Sequence, residues 1–519
     1  MSLHKSITTF GGITFLSRIF GFIRDILLAR YIGAGFVADC FFVAFKLPNL
    51  FRRLFAEGAF SAAFVPIFCG LLGNKGDLEK RGEAKAFAEE ALSVLLPILL
   101  LFTGLMQLFM PWVMVVLAPG FQDHPDKFNL AVEFTRLTFP YLILVSMVSL
   151  MGAVLNGLNK FAAAASAPVL LNLTLISSLL MFNGTQLVAG SWLARAVTIG
   201  GIVQLIWLGI VVHKEGMSLG FLVPKITPRV KEFVIIMLPA AVGAGAVQLN
   251  LVIDIILAST LPDGSLSYLF YADRLNQLPV GVIGVAVGTV LLPVMSRSLS
   301  ENNFEKANHD QNRAMETAFL LTFPAAIALM VIPIPLISAL FERGAFGSYE
   351  TEATAMALMA YAMGLPAYVL IKVLTPGFFS RKDTKTPVKI AIGALILNTI
   401  LNLILMIPFK HVGLAMATAI SAWVNVGFLY FILNRRGHFF ADKKLTNNAV
   451  LIIAASLIMG VGIWFISGQI DYFFQDGTWG KILGISILVV SGLLIYGALT
   501  KIFGIVRFGQ LKTLFKVKS

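Results

Sequence analysis

Cysteine and histidine are scarce in this chain of 519 residues, with two and six of them, and only 13% of residues are charged. Cys40 and Cys69 are too far apart along one apolar segment to pair, which excludes a disulfide scaffold and reads as two buried thiols. No CxxC, HExxH or GxxxxGK[ST] pattern occurs, so neither a structural or catalytic zinc site nor a phosphate-cradling ATPase loop is expected. Charge at about half the usual soluble share, with 58% hydrophobic residues, excludes an ordinary globular enzyme of this length. Short alternating strands of the membrane-barrel kind are missing too.

Long apolar stretches follow one another with little between them, as in an all-α polytopic membrane protein. Fourteen transmembrane spans are expected, near 6–32, 36–70, 86–117, 130–156, 162–182, 187–212, 229–260, 266–296, 313–341, 352–379, 388–408, 412–434, 446–467 and 480–502. The first carries arginines and lacks a small-residue cleavage site, so it reads as a span and not a removed signal. The net charge of +13 does not indicate nucleic acid, because no basic, aromatic-interleaved soluble module exists to hold it. The cations fall in alternate loops instead. Exits after even spans carry Lys75, Lys80, Arg81 and Lys85, then Lys160, then Lys214, Lys225, Arg229 and Lys231, and so on to Lys518. Odd exits at 118–128, 259–265 and 468–480 are poor in them, which places both termini in the cytoplasm. The tail after residue 502 interleaves Phe508, Leu511, Leu514 and Phe515 with lysines, and reads equally as a strip on the anionic inner leaflet or as a solvated end.

The first twelve spans read as two copies of six. Pro66 answers Pro293, Pro97 answers Pro324, Pro140 answers Pro366, Asn172 answers Asn398 and Asp25 answers Asp254, all at offsets near 226 to 229 residues. Six is even, so the copies share one orientation, a transporter architecture with its site between the halves. The expected organisation is a six-helix lobe at 1–221, a second at 222–440, two extra spans at 441–505 and a basic tail at 506–519.

Several charges lie inside these spans. An arginine at mid-membrane depth costs a few kcal/mol or more, so Arg18, Arg24, Arg52 and Arg274 are expected to face partners or water. Arg18 and Asp25 are seven apart and can pair, and Phe45, Asn49 and Arg52 share one face beside Pro48. Ser267, Tyr271 and Arg274 share another, while Arg53 and Glu57 form an i,i+4 pair that reads as a structural salt bridge. Guanidinium forks suit phosphate oxygens, so the ligand is expected to be anionic. A second polar set comprises Asn250 and Asp254, Asn398 and Asn402, and Thr418, Ser421 and Asn425. Its oxygens can coordinate sodium, Asp254 can carry a proton, and packing by interhelical hydrogen bonds is an equal reading.

The segment from Ala38 to Phe60, with Lys46-Leu47-Pro48-Asn49-Leu50-Phe51-Arg52-Arg53 at its centre, closely resembles the MurJ (MviN) lipid II flippases. The stretches from Tyr271 to Leu275, Pro376 to Arg381 and Lys385 to Lys389 continue the likeness along essentially the whole chain. The family belongs to the multidrug/oligosaccharidyl-lipid/polysaccharide exporter superfamily. The resemblance implies a bacterial inner-membrane flippase for the undecaprenyl-diphosphate-linked peptidoglycan precursor, with lipid II and membrane lipids as partners and cell-wall synthesis machinery as a further candidate. It implies substrate binding by Arg18, Arg24, Arg52, Arg274, Asp39, Asn49 and Ser267, and a polyprenyl-tail groove formed by the last two spans. No cofactor is implied beyond a candidate sodium ion at Asp254, Asn398, Asn402 and Thr418, where Asn402 stands in place of the family's acid. Rival readings are a polysaccharide-lipid flippase or drug exporter of the same superfamily, a polyprenyl-phosphate enzyme, for which Asp123 and Asp126 are the main exposed acids, and a scaffold that does not transport.

Overall fold

A helix buries its own backbone hydrogen bonds, and the long apolar runs of this chain take that solution throughout their described residues. The computed structural model describes residues 3–52, 59–73, 77–182, 184–225 and 227–505. Among them no strand occurs, and one isolated bridge joins Arg343 to Phe346. The Arg53–Glu57 pair and the basic tail at 506–519 lie outside the described residues.

The first elements are α1 (Leu3–Ile32), α2 (Phe36–Arg52), α3 (Ala59–Leu72), α4 (Leu78–Leu108), α5 (Met110–Leu117), α6 (Pro125–Thr138), α7 (Tyr141–Gly157), α8 (Phe161–Met181), α9 (Gln186–Lys214) and α10 (Pro228–Ser259). They continue with α11 (Ser265–Pro279), a π-helical turn (Val280–Gly284), α12 (Val285–Ser300), α13 (Phe304–Val331), α14 (Pro333–Phe341) and α15 (Ser348–Phe379). The last are α16 (Lys385–Arg435), α17 (Lys443–Gln469), α18 (Tyr472–Gln475) and α19 (Gly477–Ile502).

Among the described residues, nine helical segments are long and apolar enough to cross a bilayer. One of them, α16, is two spans in one. Lys410 takes φ 50° and ψ −130° inside it, and the missing side chain of Gly413 lets the chain close on the Leu405 carbonyl, where a Cβ would lie 2.2 Å away. The arginine-bearing α1, the proline-bearing α2 and α3, α10 and the π-interrupted α11–α12 account for the remaining expected spans, consistent with fourteen.

Large apolar side chains cover the outside, among them Leu101, Trp112, Trp464 and Leu493, each more than 60% exposed. That inverts the soluble pattern and suits a hydrocarbon surround. Polar residues cap the helix starts: Asp77 accepts from Lys80, Thr227 from Val230, Asn303 from Lys306 and Asp442 from Leu445. Beyond the end of α15, hydrogen bonds from the Thr386 hydroxyl and N–H, then from Arg436, hold the Asp383 carboxyl well below the ordinary carboxylate range.

The chain divides into two compact units. The first comprises the described residues of Met1–Ser267 together with Arg343–Phe346. There α8 packs on α1 and α9, and α2 packs on α6. A phenylalanine stack holds α10 in this unit: Phe64 lies 5.2 Å from Phe60 and from Phe87, and Phe233 meets Phe60 edge-on at 5.3 Å. The second unit comprises Tyr268–Glu342 and the described residues from Gly347 onward. Its centre is the packing of α13, α15 and α16 around Met295, Leu370, Val373 and Leu433. The last two spans join it where Met459, Ile463 and Leu488 meet Ile332, and Gly460 lets α17 approach Ile327 closely.

Cys40 is buried, as its apolar setting predicts, but Cys69 is exposed. The alternation that buries Phe64 and Phe68 on α3 turns Cys69 to the other side.

Candidate substrate site

In the first unit α1, α2 and α8 bring several of the expected residues together. Arg24 is 7% exposed and Asp25 2%. The Arg24 guanidinium donates from Nε and Nη2 to Asp25 Oδ1 at 3.0 and 2.6 Å, and from Nη1 to Asn172 Oδ1 at 2.9 Å. Asn172 is itself oriented by donating to the Ser17 carbonyl at 3.1 Å. The expected Arg18–Asp25 pair is therefore corrected. Asp25 takes its neighbour Arg24, whose side chain folds back on it, while Arg18 stands exposed with no ion pair among the described residues. Arg18 shares one face of α1 with Gly11, Thr14 and Phe15.

The strip continues onto α2. Arg24 lies 5.9 Å from the centre of the Phe45 ring, a cation–π distance. Asn49 donates to the Phe45 carbonyl at 2.7 Å and accepts from Arg52 Nε at 3.1 Å. The shared face of Phe45, Asn49 and Arg52 is thus as the 3–4 spacing predicts. A guanidinium has five N–H groups, and the three bonds above leave Arg24 two of them for a ligand. Few acids stand beside so many fixed donors, so the strip can take an anion with several oxygens.

Asp39 and Ser267 are brought to each other and not to this strip. Asp39 is 1% exposed and accepts from Lys127 Nζ at 3.1 Å, Gly264 N at 2.8 Å, Ser267 N at 3.0 Å and Ser267 Oγ at 2.7 Å. Lys127, 2% exposed, also donates to Asp263 at 2.5 Å and stands 4.3 Å from the Phe121 ring. The result is a saturated polar knot joining α2, α6 and the start of α11. Nearby, Gly120 passes so close to the end of α10 that a Cβ would lie 2.3 Å from the Ser259 carbonyl oxygen.

Arg274 belongs to the second unit, with its guanidinium 4.7 Å from the Phe270 ring. Tyr271, predicted to share its face, is buried against Phe341 at 5.1 Å. The sodium candidates also divide between the units. In the first, Asn250 Oδ1, one helical turn from Asp254, is buried without a hydrogen-bond partner among the described residues. In the second, Asn402 donates to Asn398 at 3.2 Å, Asn398 to Thr418 at 3.4 Å, and Thr418 to the Leu414 carbonyl at 3.0 Å. That ladder is the hydrogen-bonded packing the sequence also allows.

Two residues of these clusters went unassigned in the sequence. Asn172 marked only the repeat, and Lys127 lay in a loop read as cation-poor, although a polar side chain within or beside an apolar run was signal enough.

The family model for lipid II flippase MurJ matches residues 28–480. A probable lipid II flippase MurJ of Rhizobium tropici is 41% identical over 528 aligned residues, covering 100% of this chain and 97% of the relative. The chain belongs to the lipid II flippase MurJ family. A relative named lipid II flippase MurJ from Burkholderia cenocepacia is 35% identical, with 88% of this chain and 89% of the relative covered. A solved structure described as lipid II flippase MurJ in an inward closed conformation is similar at TM-score 0.78 and 27% identity, covering 95% of this chain and 98% of that one. An inward-facing multidrug resistance MATE transporter of the MOP superfamily shares the fold at TM-score 0.63 and 14% identity, covering 83% of this chain and 98% of that one. Family membership and the apolar helices together make this MurJ-family chain a multi-pass inner-membrane protein.

Proposed function

We propose that this chain moves lipid II from the inner to the outer leaflet of the inner membrane by alternating access, with the arginine strip holding the diphosphate. As a member of the MurJ family it is a transporter and not an enzyme, and the process it serves is peptidoglycan synthesis. The observation that carries the site assignment is the fixed guanidinium of Arg24, buried and clamped by Asp25 and Asn172 yet retaining unspent donors. Arg52, aimed by Asn49, extends the same strip, and exposed Arg18 supplies a cation that can move with the ligand. Arg274 is the candidate cation of the second unit. In this reading Asp39 and Ser267 tie helices together in the state described, and take part in substrate binding only where the knot opens.

The positive-inside pattern supports cytoplasmic termini, and the exposed apolar faces of α17 and α19, including Val461, Trp464, Leu493 and Leu494, suit a polyprenyl tail. Sodium is the proposed coupling ion. The unpartnered oxygen of Asn250 beside Asp254 fits it, whereas the oxygens of Asn398 and Thr418 already accept hydrogen bonds that the ion would have to replace. Cell-wall synthesis enzymes, which consume lipid II, are the proposed protein partners.

Leaflet-resolved translocation of labelled lipid II in proteoliposomes tests the core of the proposal. Arg24→Ala should abolish transport at unchanged protein abundance, and normal transport by that variant would remove the strip from the substrate site. Varying sodium and membrane potential separately in the same vesicles tests the coupling.

A further inference from the structure

Lys372 is a charge within an apolar span that none of the assignments above uses. It lies in α15 (Ser348–Phe379) seven residues before the helix end, roughly 10 Å along the axis at helical rise. After Glu352 this helix contains no acid. A lysine so placed ordinarily extends toward the nearest interface. This one does not. A Cβ built on Gly288 of α12 would lie 3.6 Å from the Lys372 carbonyl oxygen and 3.8 Å from its Cβ. A Cβ on Gly284 would lie 2.8 Å from its Cδ and 3.2 Å from its Nζ. The stem therefore climbs from the level of Gly288 to that of Gly284, back along the chain toward Arg274.

Gly284 ends the π-helical turn Val280–Gly284, inserted between the helix that carries Arg274 and α12. Such turns break the regular hydrogen-bond ladder and recur at functional sites. Here the turn presents a residue without a side chain where the lysine stem crosses, and the space that a Cβ would need is taken by the stem. Ten residues separate Arg274 from Gly284, about 15 Å along a helix, and the Arg274 guanidinium leans the other way, over Phe270. The two cations thus stand at successive depths of one unit and do not form a single clamp.

We propose that Lys372 is an additional binding residue for the lipid-linked diphosphate, met before Arg274 on the side that the positive-inside pattern makes cytoplasmic. An ammonium is a point charge for phosphate, without the fork that fixes orientation, which suits a loading position more than a holding one. The inference rests on the lipid II reading above.

The test uses full-length protein in proteoliposomes, with lipid II as transport substrate and undecaprenyl diphosphate, which lacks the sugar and peptide, as a ligand in nanodiscs. Losing one charge-assisted contact should raise the KM of Lys372→Gln for lipid II about tenfold, with kcat within about twofold. Affinity for undecaprenyl diphosphate should fall by a similar factor, and Lys372→Arg should restore both. Gly284→Ala, which pushes the stem aside, should reproduce the KM shift with Lys372 intact. The inference is overturned if Lys372→Gln matches wild type while Arg24→Ala is inactive. A drop in thermal stability and kcat that arginine does not rescue would overturn it as well, by making Lys372 structural. If wild-type protein moved no lipid II at all, it would be the transport reading that failed.

Discussion

Replacing Asp39 by alanine should unfasten the knot at the start of α11, and the size of the effect can be worked from its bonds. The carboxylate accepts from two backbone amides, Gly264 at 2.8 Å and Ser267 at 3.0 Å, and is buried with them. Hydrogen bonds to a charged acceptor contribute about 1.5–3 kcal/mol each. Removing the acceptor should therefore speed hydrogen exchange at both amides by between about tenfold and a hundredfold. Asp39→Asn gives a sharper result, because Oδ1 serves Ser267 and Oδ2 serves Gly264 and Lys127. The Lys127 ammonium selects the orientation in which the amide carbonyl faces it, so Gly264 keeps its acceptor and Ser267 loses one. Exchange mass spectrometry of peptides covering 260–270, in detergent and in nanodiscs, would separate the two amides. Unchanged exchange in Asp39→Ala, or equal loss at both amides in Asp39→Asn, would refute the account of the knot.

Asn172→Ala should lower lipid II transport about tenfold, since Arg24 loses the partner that aims its Nη1 donor, and Asn172→Gln should recover little because its oxygen is displaced by a methylene. Gly120→Ala should reduce folded yield, by about 2 kcal/mol or more in stability, because its Cβ would fall 2.3 Å from the Ser259 oxygen; fluorescence-detected size exclusion after heating reads this. His438 has its imidazole held below the ordinary value by burial and then by the charges of Arg381 and Arg436. The unfolded chain then binds the proton more readily, so this group's contribution to stability is present above about pH 6.5 and is lost as pH falls from there through the lower folded value. Thermal midpoints of wild type should fall between pH 7 and 5 more than those of His438→Gln.

The helical membrane fold was legible because its cause is local: apolar runs of bilayer length and cations in alternate loops are written in consecutive residues. The face of Phe45, Asn49 and Arg52 was legible for the same reason, being a helical period, and Arg24 was marked by the cost of burying it. What lay beyond reach was partner choice. Nothing local distinguishes an Arg18–Asp25 pair from the Arg24–Asp25 pair that forms, because both are sterically open on one helix. The Arg24–Asn172 bond joins residues 148 apart, and Lys127–Asp39 residues 88 apart, so no window of sequence contains either. Likewise the reversal at Lys410 was expected from two separate spans, but its left-handed backbone was not, since lysine has no preference for that conformation.

The pairing of Arg24 with Asp25 bears on the half of the transport cycle in which nothing is carried. After release, a flippase must return with its site vacant, and a bare guanidinium crossing a low-dielectric interior would make that stroke slow. Asp25 is a counterion 2.6 Å away on the same helix, placed to accompany the arginine through such a reset. With Arg24 proposed to hold the diphosphate, the same carboxylate would compete with the arriving ligand and exchange tight loading for rapid turnover. On that proposal, cargo affinity and the speed of the vacant return would be coupled through one acid, and a variant that grips lipid II more firmly at this position should come back more slowly.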